Sequence, residues 1–374
     1  MNRRLHAVAA IAAGALLLGG CGSDTDTGND DRGTRGADNS AAEAAADWTL
    51  GNLTDAGLLE ITTSYEGKTN TFVDHGSSVD LALALNALDH APERVEEITD
   101  ALADDLATYV GTDGEVYAGP SAKALALVAE QGRDARDFGG EDLQARVEGT
   151  VTSRGPAAGR ISDASQYGDY ANTLGQAYAA GALTRVGSEK ADAATEFLLA
   201  QQCEEGFFRL DLSKPKAKDQ SCDGADVDAE QAPDVTALVV LQLAPVADQH
   251  EGVGEALDAA GEWLLEQQAD DGTFSDPQNG TNANTVGLAG WALRVLGEDE
   301  AADRAAAWLA ARQIGEEEEG ELADEVGAIA YDTLGLEDGR RYGITDPLDR
   351  SQWVLAAVQA FPALAQALTV TGQG

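Results

Sequence analysis

Two stretches of the chain, sixty-six residues apart, carry one pattern: Phe197-Leu198-Leu199-Ala200-Gln201-Gln202-Cys203-Glu204-Glu205-Gly206-Phe207-Phe208 and Trp263-Leu264-Leu265-Glu266-Gln267-Gln268-Ala269-Asp270-Asp271-Gly272-Thr273-Phe274. Six of the twelve positions are identical, and a weaker copy runs from Trp308-Leu309 to Gln313. The aromatic and leucine positions precede the glutamine at helical spacing, and glycine after two acidic residues supplies a left-handed helix stop. A repeat of this kind restricts a chain of 374 residues to a stack or ring of similar units, because each unit can bury its apolar face only against its neighbours.

The turn of glycine followed by an apolar residue recurs at Gly57, Gly114, Gly159, Gly206, Gly272 and Gly320, with spacings of 57, 45, 47, 66 and 48 residues, which makes six units. After each turn comes an apolar, alanine-rich segment: residues 79–88, 122–128, 172–186, 235–243, 285–296 and 326–334. Two of these open alike, Ala171-Asn172-Thr173-Leu174-Gly175 and Ala283-Asn284-Thr285-Val286-Gly287. Small residues on every face suit helices buried among helices, and the scarcity of alternating β-branched runs predicts little sheet. The expectation is an all-α fold, an (α/α)6 toroid of six helix hairpins, with an open solenoid as the alternative.

The residues carrying the pattern, Gln201-Gln202 to Gly206-Phe207 and Gln267-Gln268 to Gly272-Phe274 with the alanine-rich helices after them, resemble the prenyltransferase and squalene cyclase repeat. That resemblance implies an α/α toroid over residues 42–374, the architecture of terpenoid cyclases, protein prenyltransferase β-subunits, complement thioester domains and cobalamin carriers. It implies a fold more than an activity, since one fold hosts many sites. Of the Asp-x-Asp-Asp-Thr-Ala motif of class II cyclases, the stretch Gln231-Ala232-Pro233-Asp234-Val235-Thr236-Ala237 retains one aspartate, with Asp226-Val227-Asp228-Ala229 upstream. The zinc ligands and basic diphosphate clamp of the prenyltransferases cannot be placed, nor can the thioester motif. No catalytic residue, metal or cofactor is therefore assigned from the sequence.

The amino terminus has its own signature. Arg3 and Arg4 precede an apolar run from Ala7 to Leu18, too short to span a bilayer; the leader of residues 1–20 ends there in Leu18-Gly19-Gly20-Cys21, which is similar to the lipobox of bacterial lipoproteins. The expectation is cleavage before Cys21, acylation of that cysteine and anchorage to the lipid bilayer on the extracellular face of the cell membrane, since two or more acyl chains suffice for stable anchoring. Residues 21–41, rich in Gly, Ser, Thr, Asp and Asn, are read as a flexible tether.

Removing the leader takes away two arginines and leaves 22 basic against 66 acidic residues, a net charge of −44. Such a field repels phosphate backbones, so no nucleic-acid partner is expected. Outside the cell, Cys203 and Cys222 are expected to form a disulfide closing the segment that lengthens the 66-residue unit.

The polar and aromatic residues at the starts of the inner helices are the ligand-binding candidates: Asp74, His75, Asp80, Tyr167, Asp169, Tyr170, Asn172, Asp234, Asn282, Asn284 and Asp324. In a toroid such positions converge on one end of the barrel. Asn172, Asn284, Asp234 and Asp324 read more simply as helix N-caps. The leading expectation is a non-catalytic surface lipoprotein that captures a small-molecule ligand at the toroid mouth for a membrane transporter, with a corrinoid as first candidate. The alternatives are a secreted α/α-barrel enzyme, terpenoid-cyclase-like or polysaccharide lyase/glycosidase-like with Asp80 and Asp169 or Asp234 as its carboxylates, and a structural envelope protein whose barrel mouth is filled by side chains.

Overall fold

Gly327, at φ +96°, explains how the chain closes on itself. A Cβ there would lie 2.1 Å from the carbonyl oxygen of Ala44 and 3.1 Å from Cβ of Trp48, so the last turn of the chain is pressed against its first helix. The computed structural model describes residues 38–224 and 231–368, all within one compact unit. Cys21, the leader, most of the stretch read as tether, Asp226 and Asp228 lie outside the described residues.

The chain enters through α1 (Ser40–Leu50) and a hairpin of β1 (Glu60–Tyr65) and β2 (Lys68–Val73), then α2 (His75–Leu88), α3 (Pro92–Asp104) and the short α4 (Leu106–Val110). Next come the pairs α5 (Ala118–Glu130) and α6 (Leu143–Thr150), α7 (Thr173–Arg185) and α8 (Ala191–Leu199), α9 (Pro233–Leu243) and α10 (Val253–Gln267), and α11 (Ala283–Val295) and α12 (Asp299–Ala310). The last elements are α13 (Thr333–Tyr342) and α14 (Pro347–Ala360).

Helices α2, α5, α7, α9, α11 and α14 each pack on the next, and α14 packs on α2, so six inner helices form a closed ring with α1, α3, α6, α8, α10 and α12 outside. This is the (α/α)6 toroid. The two sets are separated by their residue patterns. Outer helix α3 buries Val95, Ile98, Thr99 and Leu102, one stripe at helical spacing, whereas inner helix α7 buries residues all round. The small residues of the inner helices serve close approach: a Cβ on Gly175 would sit 2.9 Å from Cα of Gly119, between α7 and α5, and one on Gly287 would sit 2.5 Å from Cα of Ala360, between α11 and α14.

The repeated glutamine has a definite task. Gln202 Nε2 donates to Gly206 O and to Ala256 O, both at 2.8 Å. Gln268 Nε2 donates to Gly272 O at 3.2 Å and Ala301 O at 2.9 Å. Gln313 Nε2 donates to Ala41 O at 2.7 Å and Gly327 O at 3.4 Å. In each of these three units one side chain ties its own glycine turn to the first turn of the next outer helix and gives the turn glycine's carbonyl a donor. In the last unit the next outer helix is α1, which closes the ring.

That contact corrects the reading of the sixth unit. Its packed glycine is Gly327, while a Cβ on Gly320 would meet nothing within 4 Å. Residues 326–334 are not the sixth inner helix; α14 is. Two further boundaries move. Helix α1 begins at Ser40, inside the stretch read as tether, and the hairpin turning at Glu66 and Gly67, both with positive φ, was not anticipated. Cys203 and Cys222 are joined as expected. Beside the bridge, the buried Arg209 donates to Gln201 Oε1 at 2.6 Å and Gln220 O at 2.7 Å, fastening the long insertion to its helix.

Candidate active site

Lys123 is the single basic residue in the apolar run of α5, and only 16% of its side chain is exposed. Its Nζ lies 2.7 Å from Oδ1 of Asp80 on α2, and the Tyr178 hydroxyl on α7 donates to the same oxygen at 3.1 Å. Three neighbouring inner helices thus each contribute one polar group to one point on the inner wall. The ammonium also stands 5.5 Å from the centre of the Tyr178 ring. Burial above all, and then the Asp80 charge, pushes the Tyr178 hydroxyl well above its ordinary value. Tyr109 is raised in the same way, by burial first and then by Asp80 and Asp74. Both phenols therefore stay protonated at neutral pH and are hydrogen-bond donors.

This cluster faces a cavity of about 490 Å3 on the barrel axis, within the range of small-molecule sites. Leu174, Leu238, Leu241 and Leu288 line much of it, with Trp291 and Tyr117. The barrel mouth is therefore not filled by side chains, contrary to what a purely structural envelope protein requires. The rim is held by a braced loop. Asp163 accepts from Ala118 N at 2.7 Å and Tyr170 N at 2.9 Å. Asp169 is paired with Arg160 at 2.7 Å and accepts from Asp163 N at 3.0 Å. The loop so fixed presents Tyr170, 74% exposed, over the opening.

Of the sequence candidates, Asp80, Tyr170, Asn172 and Asp234 line the cavity. Asn172 is also the N-cap of α7, accepting from Gly175 N at 3.1 Å. Asp74 caps α2 through Ser77 N at 3.0 Å. His75 is buried behind the wall, 2.7 Å from Asp105 and stacked on Tyr109 with centroids 5.5 Å apart. Asp169 serves the loop, so it does not pair with Asp80 as a second carboxylate, and Tyr167 is exposed without lining the cavity.

The capping assignments need three corrections. Asn282, not Asn284, caps α11, accepting from Thr285 N at 3.0 Å. The two similar strings are therefore offset by two residues: Thr173 N bonds Leu210 O at 3.0 Å as Ala283 N bonds Tyr331 O at 2.7 Å. Asp234 lies inside the first turn of α9, whose cap is Ala232, and Asp324 begins no helix and is exposed. The functional residues not singled out from the sequence are Lys123, Tyr109, Tyr178, Tyr117 and Trp291. The available signal was a lone lysine and a lone tyrosine inside helices rich in Ala, Gly and Leu.

No family model and no curated protein sequence matches this chain. Solved structures do. A type II terpene cyclase from Scytonema is 16% identical, covers 87% of this chain and 98% of its own, and gives a TM-score of 0.54; it has also been solved with geranylgeranyl dihydroxybenzoate as substrate. An alpha-amylase from Clostridium perfringens is 13% identical over 89% of this chain and 99% of its own, with a TM-score of 0.57. An unsaturated glucuronyl hydrolase solved with dGlcA-Glc-Rha-Glc is 10% identical over 85% and 94%, with a TM-score of 0.55. At these identities the likeness establishes the α/α toroid fold.

Proposed function

We propose that this chain is an acid–base enzyme of the α/α-toroid type, acting on a small and largely apolar molecule held on the barrel axis. The observation that carries this reading is the Asp80–Lys123–Tyr178 cluster in the wall of a leucine-lined cavity. A desolvated ion pair is at best neutral for stability against apolar side chains of the same volume, so packing alone gives no reason to keep one there. Groups with shifted proton affinity gathered in a concave, ligand-sized space are the mark of a reactive centre. Asp80 is the proton-transferring group of the cluster, Lys123 holds its charge in place, and Tyr178, which keeps its own proton, orients it by a hydrogen bond.

Structural neighbours that are enzymes fit catalysis better than passive capture. Among them the terpene-cyclase branch, towards which the repeat also points, suits this wall better than the saccharide-cleaving branch. Leucines and aromatic rings make up much of the wall, and the Asp163 carboxylate is occupied by backbone amides. Export and anchorage through an acylated Cys21, on the outer face of the membrane, belong to the same proposal and rest on the leader residues.

One observation favours a second reading, capture without turnover: Asp80 already carries both an ammonium and a phenol, an arrangement that suits holding a ligand as well as changing it. Kinetics separates the two. The purified chain is incubated with isoprenoid alcohols and acids of increasing length and, separately, with uronate-bearing oligosaccharides. The proposal expects turnover of an isoprenoid that falls by about 10²–10⁴ in Asp80→Asn with substrate affinity retained. Isoprenoid bound but recovered unchanged sustains capture, and cleavage of the oligosaccharide alone overturns the apolar-substrate reading.

A further inference from the structure

Beyond the reactive cluster the barrel axis continues into a second, smaller chamber of about 50 Å3. Leu83, Leu241, Gln242 and Trp291 line both spaces, so four side chains make the partition between them. The chamber lies at the C-terminal ends of the inner helices, and two opposite charges look into it, Glu130 from α5 and Arg185 from α7. They feel each other electrostatically, yet among the described residues Arg185 enters no ion pair, and its Nη1 is buried without a hydrogen-bond partner.

The guanidinium is aimed by its own helix. Side chains tilt towards the helix N-terminus, and Gly181, one turn before Arg185, leaves the room this needs: a Cβ there would stand 3.1 Å from Nη1 and 2.8 Å from the carbonyl oxygen of Gln242. Arg185 is thereby turned back towards the partition. Burial also lowers the proton affinity of Arg185 and raises that of Glu130, so neither charge is comfortable without a further partner. A void of this size admits a small polar group such as a carboxylate.

We propose that this chamber is a second subsite of the cavity, in which Arg185 donates to the carboxylate end of an elongated apolar ligand whose body lies against the Asp80–Lys123–Tyr178 wall. The inference rests on the apolar-substrate reading and adds the polar terminus to it. Trp291 and Leu83 then set the distance between the reacting part of the molecule and its anionic end.

The probes are decanoate and decan-1-ol, titrated calorimetrically into the full chain at neutral pH. A net charge of −42 works against any anion, so non-specific partition favours the alcohol. A charge-assisted bond to a buried guanidinium predicts the reverse, decanoate about tenfold the tighter. In Arg185→Gln decanoate should fall to the level of the alcohol while the alcohol is unchanged. Arg185→Lys, which keeps the charge but not the planar fork of donors, should retain part of the preference for decanoate, with circular dichroism confirming that both variants are folded. Equal affinities in the parent chain, or a loss shared by both probes in Arg185→Gln, overturns the subsite and leaves the apolar cavity standing. If neither probe binds, the apolar-substrate reading fails and the subsite fails with it.

Discussion

Replacing Gly327 by alanine tests ring closure at a single atom. The residue sits at φ +96°, where an L side chain costs roughly 1–2 kcal/mol. The new Cβ would in addition stand 2.1 Å from Ala44 O and 2.7 Å from Ala44 C, both backbone atoms of α1 that no rotamer change can move aside. Shifting a packed helix to relieve such a contact costs about 1–3 kcal/mol, so with the backbone strain the total loss is about 2–5 kcal/mol. Gly320→Ala is the matched control. It has φ +79° and nothing within 4 Å of its Cβ, so only the backbone strain remains, about 1–2 kcal/mol. Urea unfolding followed by far-ultraviolet circular dichroism reads both. Equal losses in the two variants, or a larger loss in Gly320→Ala, would refute the assignment of Gly327 as the glycine that joins the last unit to the first.

Replacing Cys203 and Cys222 together by serine should lower stability by about 3 kcal/mol on the loop-entropy estimate without changing helix content, and a reductant should reproduce the effect in the parent protein. A chain with 66 acidic against 24 basic residues repels itself, so its melting temperature should rise steadily towards about 1 M sodium chloride, where the screening length is ~3 Å; a flat response would mean that the acidic surface costs no stability. Glu130 is raised from its ordinary value of 4.5, by burial first and against Arg185 and Asn86. The folded state therefore binds its proton more tightly than the unfolded state, and that share of the stability is present at acid pH and lost as pH rises through the folded value. Glu130→Gln should gain on the parent as pH rises above the ordinary carboxyl value of 4.5, and a difference that does not change with pH would contradict the burial assigned to this carboxyl group.

The repeat was legible because its residues have local duties. Gln202 and Gln268 each bond the turn glycine four residues later, so the spacing survives in the sequence. The sixth unit was misread because the acidic stretch 316–325 separates Gln313 from Gly327 and carries Gly320, a glycine of the right conformation with no packing duty. Within that stretch Glu325 is a closing contact, taking Trp48 Nε1 at 2.8 Å and Arg350 at 2.5 Å, residues far from it in sequence. The same limit applies to the site. Asp80 and Asp234 could be singled out because carboxylates near helix starts are conspicuous. Lys123 and Tyr178 acquire meaning only when α2, α5 and α7 are placed side by side, which depends on glycine contacts such as Gly119 against Gly175. The Glu66-Gly67 turn flanked by threonines was a readable hairpin signal, hidden by the helical reading of everything around it.

The central claim is that molecules held against Asp80, Lys123 and Tyr178 are changed there. Its most direct test is to expose the parent chain and Asp80→Asn to one isoprenoid mixture and identify what each retains or releases by liquid chromatography, which separates isomers of equal mass. The account predicts unreacted substrate on Asp80→Asn and a chromatographically distinct product from the parent; the same unchanged molecule recovered from both would contradict it.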